Sequence, residues 1–386
     1  MEPTPFIADL PAEQLETLRS RLHSTRWPGP IGDDSWTYGV PEAWMREMVN
    51  YWADEWDWHA QAEAMNQWQH YRVTIDGVPI HYLHAPARDL EAPPLVLTHG
   101  WPWTFWDFKD VIGPLSRPED HGGDASDAFN VYVPSLPGFG FSTPLSVSGV
   151  DVAVIGDLWV KLMTDVLGFE SFAAHGGDWG GLVTAQLAHA HADKLVGAHL
   201  SIALMPGVDR RSLGPDAWAP DEQWMIERGA ESEPLIRSHV TVHLLDPQTL
   251  AYSLVDSPVG TAAWIWERRR NWSDCDGDVE TVFDRDHLCT TAALYWCTGA
   301  IHSSLRLYHE HFKKPWPLTH ERTPRMEAPT AFAIFPKDVV HMPRSVIAEH
   351  CDLRRYTVMP AGGHFGAAEQ PDLLVDDIRA FFASLQ

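Results

Sequence analysis

Positive charge is scarce in this sequence. Its 386 residues include 28 Lys and Arg, only six of them Lys, against 53 Asp and Glu, and the net charge is −25. No basic run interrupts the acidity. A phosphate backbone or an anionic membrane would be repelled, so neither nucleic acid nor membrane is expected as a partner. Long apolar runs are missing too, since none reaches the roughly 18 residues that a membrane-spanning helix needs. Residues 1–10 have no basic stretch leading into an apolar one, so no secretory leader is expected and a cytoplasmic protein is. The four cysteines (Cys275, Cys289, Cys297, Cys351) are scattered and form no C-x-x-C pair. In a chain this long, a core stands without disulfides, and free thiols are expected.

Metal and nucleotide motifs are also lacking. His189 and His191, like His309 and His311, are spaced i, i+2 and point apart on a helix. The segment Asp274-Cys-Asp-Gly-Asp278 puts its glycine too early for a calcium loop. Gly138-Phe-Gly140 has no third glycine at the spacing a dinucleotide fingerprint requires. No metal and no cofactor is expected.

Apolar residues, by contrast, make up 45% of the chain, ample for a sizeable core, and 19 residues are Trp. Seven of these lie in residues 1–70. There, a short helix starting after Pro11 carries Leu15, Leu18 and Leu22 on one face. A second amphipathic stretch over 42–58 spaces Trp44, Met48, Tyr51 or Trp52, and Trp56 helically. These aromatics are expected to cover a larger body. Strand patterns begin at 71–75 and 78–83, flanking the hairpin turn Asp76-Gly77. Apolar runs at 95–97, 131–133, 172–174 and 195–200 follow, with helical patterns at 152–167 and 181–192. Such alternation implies a parallel sheet covered on both faces. It stops at about Met205 and resumes with strands at 331–335 and 355–359 and a last helix at 373–385. The expected plan is an α/β fold with an arm (1–70), a core in two parts (71–205 and 321–386) and an inserted helical lid (206–320).

Four local signals carry chemistry. His175-Gly-Gly-Asp-Trp-Gly-Gly181 follows a strand and opens a helix. This is the tight turn usually written G-x-S-x-G, which exposes a nucleophile at the end of the sheet of an α/β-hydrolase. Gly176 and Gly180 are required because a Cβ would clash there. The central residue is Asp178 rather than Ser. His99-Gly-Trp-Pro102 follows an earlier strand, where this fold places an oxyanion-hole loop. The backbone N–H groups of Trp101 and Trp179 are the expected donors. Gly362-Gly-His364 offers a general base after a late strand, and Phe335-Pro-Lys-Asp338 offers the acid that orients it. Nucleophile, acid and His in this order suit the α/β-hydrolase fold. An Asp nucleophile selects attack on sp³ carbon, giving an alkyl ester that water then cleaves, and hence an epoxide or an alkyl halide as substrate.

The sequence resembles the epoxide hydrolases of the microsomal and juvenile-hormone type, which join an N-terminal arm to an α/β-hydrolase domain. The resemblance rests on Leu18-Arg-Ser-Arg-Leu22 with Thr25-Arg-Trp-Pro28, on His99-Gly-Trp-Pro102 and on Leu136-Pro-Gly-Phe-Gly-Phe-Ser142. It rests further on Gly176-Gly-Asp-Trp-Gly-Gly181, Asp256-Ser-Pro-Val-Gly260, and Gly362-Gly-His-Phe-Gly366 with Glu369-Gln-Pro371. It implies conversion of an epoxide to a vicinal diol, and it implies a homodimer. Family members hold the epoxide oxygen with two lid tyrosines. By resemblance one is Tyr308, in Ser303-Ser-Leu-Arg-Leu-Tyr308, and the other position holds His239. Either His239 supplies the second donor or Tyr308 works alone. Tyr252 and Tyr295 are expected to be packing residues. His99, Pro102, Trp103 and Trp106 are expected to line a broad aromatic pocket for a bulky aryl epoxide, met in detoxification or in antibiotic biosynthesis. Two alternatives stay open: a haloalkane-type dehalogenase on the same scaffold, and a non-catalytic receptor for a hydrophobic ligand.

Overall fold

The computed structural model describes residues 2–385. Its strands are β1 (Thr4–Phe6), β2 (Gln69–Ile75), β3 (Val78–Ala85), β4 (Pro94–Thr98), β5 (Asn130–Pro134), β6 (Phe172–Gly176), β7 (Leu195–Leu200), β8 (Met326–Ile334) and β9 (Cys351–Val358). They form one sheet in the order β1-β2-β3-β5-β4-β6-β7-β8-β9. Pairing is antiparallel from β1 to β5 and parallel from β5 to β9. The parallel strands β5 and β6 are buried along their whole length, which is why they read as unbroken apolar runs. The expected hairpin forms at Asp76 and Gly77, both at positive φ (50° and 79°), as a two-residue turn between right-twisted strands demands.

Helices α1 (Ala12–His23), α2 (Glu42–Asp54) and α3 (Trp58–Met65) precede β2, and α4 (Lys109–Ser116), α5 (Val152–Lys161) and α6 (Trp179–Ala190) alternate with the central strands. Between β7 and β8 come α7 (Gln223–Leu245), α8 (Pro247–Asp256), α9 (Pro258–Trp272), α10 (Arg285–Cys297) and α11 (Ala300–Phe312). The chain closes with α12 (Arg344–His350), α13 (Gly366–Glu369) and α14 (Pro371–Ala383). No helix among the described residues is long and apolar enough to cross a membrane.

Several boundaries differ from the sequence pattern. The helix expected over 42–58 breaks after Asp54, and Asp57 caps a new one by accepting the His59 N–H. Strand β1 carried no pattern of its own: three residues with Pro5 at the sheet edge show no alternation. Strand β8 starts five residues before the apolar run at Ala331, because Glu327 and Pro329 interrupt that run at a register shift.

The N-terminal aromatics bury themselves against α9 and α10. Trp44 and Trp52 pack on Trp266 with ring centroids 5.8 and 5.7 Å away. Trp44 and Trp56 donate their indole N–H groups to Glu280 and Thr290, and Tyr51 donates its hydroxyl to Asp286. The N-terminal helices thus brace the helical insertion, and strand β1 ties the same segment to the sheet.

Candidate active site

Strand β6 runs into α6 through a turn with no room for side chains. A Cβ on Gly176 would lie 2.1 Å from the Gly180 carbonyl oxygen, and one on Gly180 would lie 1.8 Å from that of Thr98. Asp178 sits between them at φ 48°, ψ −128°, a conformation that costs on the order of 1–3 kcal/mol and that the close packing holds in place. Its carboxylate stands beyond the end of the sheet. Oδ1 accepts the Trp101 backbone N–H at 2.7 Å, and Oδ2 lies 3.2 Å from His364 Nε2. A Cβ on Gly100 would fall 2.2 Å from Oδ1, so the loop after β4 approaches closely only because residue 100 is Gly. No hydrogen bond joins the Trp179 N–H to this carboxylate.

His364 reaches the carboxylate from the loop after β9, and its Nδ1 lies 2.7 Å from Asp338 Oδ1 on the loop after β8. Burial alone would lower the His364 pKa, but Asp338 and then Asp178 outweigh it and push it up to about 10. The two carboxylates thus favour the protonated ring, which donates to both. The loop is held by Glu369, whose carboxylate accepts the N–H groups of Asp274, Gly363 and Phe365 at 2.7–2.8 Å. Burial moves Glu369 up to about 7 against those three donors.

The Asp178 carboxylate and His364 face a cavity of about 90 Å³. Trp179, Trp272, Tyr308 and Phe312 line it, with Leu182, Ile202, Leu204, Ile236, Val240, Val339 and Val340, and with His239. Tyr308 and His239 lie together, ring centroids 5.4 Å apart. Burial, then the Asp178 charge, raises the Tyr308 pKa well above its ordinary value, so its hydroxyl keeps its proton. Burial, helped by His243 and Arg268, keeps His239 neutral. His239 stacks on the Trp101 indole with centroids 5.3 Å apart, and its Nδ1 is buried with no hydrogen-bond partner among the described residues.

Four residues expected at the pocket are elsewhere. His99 is fully buried behind the loop, accepting the Leu136 N–H at Nε2 and donating to the Gly100 carbonyl. Pro102 and Trp103 hand their carbonyls to Arg269 and Tyr295. The Trp103 ring packs edge-on behind His364, and Trp106 packs on Phe105 in the core. After Trp101 the loop turns away from the cavity, and a motif's neighbours in sequence are not its neighbours in space. Tyr252 does not pack either: it is 75% exposed on α8. Trp272, which walls the pocket, escaped the sequence reading because the end of α9 carries no motif; nothing short of the fold brings it to His364.

Residues 3–108 match the family model "Epoxide hydrolase N terminus", and residues 93–220 match "alpha/beta hydrolase fold". A Stigmatella aurantiaca protein is 36% identical over 99% of this chain and 85% of its own length. Epoxide hydrolase 1 of Sus scrofa is 33% identical over 99% of this chain and 89% of its own. The solved epoxide hydrolase of Aspergillus niger superposes with a TM-score of 0.85 at 25% identity, covering 100% of this chain and 97% of that one. With that fold, and with relatives this similar along almost its whole length, the chain belongs to the epoxide hydrolase family.

Proposed function

We propose that this protein opens a compact, uncharged, hydrophobic epoxide to a vicinal diol through an ester on Asp178. The observation that carries the reading is the Asp178 carboxylate, held at 2.7 Å by the Trp101 N–H and facing an apolar cavity beside the His364–Asp338 pair. In the first half-reaction one Asp178 oxygen attacks a ring carbon and the C–O bond breaks. The departing oxygen takes the Tyr308 proton, while neutral His239 donates a second hydrogen bond to it. A phenol with a raised pKa still protonates an alkoxide, which is far more basic.

Esterification cancels a negative charge 3.2 Å from His364 Nε2. The imidazolium then loses its main partner on that side, and its proton returns to the Tyr308 phenolate. Neutral His364 takes a proton from water, and the hydroxide adds to the ester carbonyl. The oxyanion rests on the Trp101 and Trp179 amides. Collapse expels the diol oxygen, which takes the carboxyl proton, and restores Asp178 as a carboxylate beside an imidazolium.

The substrate class follows from the walls. Apart from the reacting groups they present aliphatic and aromatic surface and no charge, so an ionised substrate would lose its hydration without compensation. A cavity of about 90 Å³ is well below the range for drug-sized ligands, which begins at about 300 Å³. The cavity of this structure therefore favours a compact epoxide over the bulky aryl one expected from the sequence.

A single turnover in ¹⁸O-water tests the chemistry. The first diol should carry no label, because its new hydroxyl comes from Asp178, and label should remain in the protein. A labelled first diol would mean direct attack by water. The oxygen clamp has its own test. Tyr308→Phe should slow ring opening by about 10²–10⁴. His239→Phe should cost less, about 1–3 kcal/mol for one lost hydrogen bond. Unchanged ring opening in His239→Phe, followed by rapid-quench kinetics, would leave Tyr308 as the sole donor.

A further inference from the structure

Behind the site lies an ion pair that the reaction as described does not use. Arg269, on α9, and Asp107, on the loop after β4, both have fully buried side chains. The guanidinium meets the carboxylate with two nitrogens, Nη1 to Oδ1 and Nη2 to Oδ2, the latter at 3.0 Å. Nη2 also donates to the Pro102 carbonyl at 2.7 Å. The remaining carboxylate positions are filled by the Thr104 N–H at 2.7 Å and His287 Nε2 at 3.2 Å. Burial works against ionisation of Asp107, but Arg269 and His287 outweigh it and hold the carboxyl well below the usual range.

A buried ion pair is weak support for stability, because desolvation offsets most of its attraction. What this one touches is more telling. Pro102 follows directly on Trp101, whose N–H holds Asp178, so the Arg269–Pro102 bond fixes the strip of backbone that aims that donor. On its other side the guanidinium lies over the Phe365 ring, 4.3 Å from the centroid, and Phe365 follows directly on His364. One turn along α9 the Trp272 carbonyl accepts the His364 N–H at 2.8 Å. The two backbones are so close there that a Cβ on Gly363 would lie 2.6 Å from that oxygen. The oxyanion donor comes from residue 101 and the base from residue 364, and the same few residues of α9 grip both.

We propose that Arg269, held by Asp107, is a positioning residue that sets the Trp101 amide and His364 relative to each other across the Asp178 ester. It touches neither substrate nor reacting atoms. The inference rests on the two-step scheme above, and it predicts an uneven effect. Ring opening needs the lid donor and one carboxylate oxygen aimed into the cavity, a looser demand on the Trp101 loop. Ester hydrolysis needs the amide and the base correctly spaced around one carbonyl, and a misplacement near 1 Å can cost about 10²-fold.

The test is rapid-quench single-turnover kinetics, with mass spectrometry of the protein, on the wild type, Arg269→Met/Asp107→Asn and Arg269→Lys. The double variant removes both charges, while its Asn side chain still accepts the Thr104 N–H. Its ester hydrolysis should slow by about 10²-fold with ring opening within a few-fold of wild type. The ester then accumulates, and kcat and KM fall together. Arg269→Lys keeps the charge but cannot span Asp107 and Pro102 at once, so it should shift the same way by a smaller factor. A merely structural role would reduce the burst amplitude and leave both rate constants unchanged; that result in Arg269→Lys, or in a folded double variant, overturns the inference. Failure to trap an ester on the wild type would instead overturn the two-step scheme itself.

Discussion

Asp178→Ala should leave a folded protein without turnover. In the proposed scheme the carboxylate is the group that bonds to carbon, and removal of a covalent nucleophile costs on the order of 10⁶ in rate. The elbow complicates the experiment, because residue 178 sits at φ 48° and Ala tolerates that region less well than Asp. Asp178→Asn is the conformational control, since Asn has nearly the shape of Asp and fills the same space. Asp178→Asn should melt close to the wild type and Asp178→Ala lower, and the diol should be undetectable with Asp178→Ala. Diol formation by Asp178→Ala at near wild-type rate would remove Asp178 from the mechanism.

His364→Gln should separate the two half-reactions. Ring opening needs the Asp178 carboxylate, which keeps its Trp101 donor. Hydrolysis needs a base, and Gln is none. One equivalent of epoxide should therefore be consumed, and the protein should gain the mass of the substrate and stall. Absence of an adduct after exposure to substrate would count against the ester. In the wild type the two steps should also differ in pH dependence. With Asp178 ionised the His364 pKa is pushed up to about 10, so the resting imidazolium persists through neutral pH. Once Asp178 is an ester, only Asp338 holds the pKa up, and the base becomes available at lower pH. Hydrolysis should rise with pH to a plateau reached at lower pH than the resting His364 pKa would set, while ring opening stays flat over that range. The same linkage makes a stability prediction. A folded-state pKa raised above the unfolded value contributes stability that is present below about 6.5 and is lost as pH rises toward 10.

The candidate reactive residues were legible because each follows the end of a strand in a short motif with steric meaning. The glycines around Asp178 and before His364 announce backbone approaches that no other residue permits, and the atom positions bear this out at Gly100, Gly176 and Gly180. The pocket was not legible in this way. His99, Trp103 and Trp106 share a motif with Trp101, yet their side chains turn into the core, whereas Trp272 and Phe312 reach the cavity from the ends of two helices. A motif reports the local backbone; which side of a loop faces the cavity depends on what packs behind it.

The alternation of strand and helix and the candidate nucleophile's turn follow from local patterns alone: runs buried on both faces, a turn that excludes Cβ atoms, and a carboxylate where a hydroxyl is commoner. Such constraints act within a few residues and are written in them. The size of the cavity, the pairing of His239 with Tyr308 and the link from Arg269 to both loops arise between segments far apart in the sequence. Only the packed helices bring those groups together, because buried distances and charges are set by what closes around a residue and not by its neighbours along the chain.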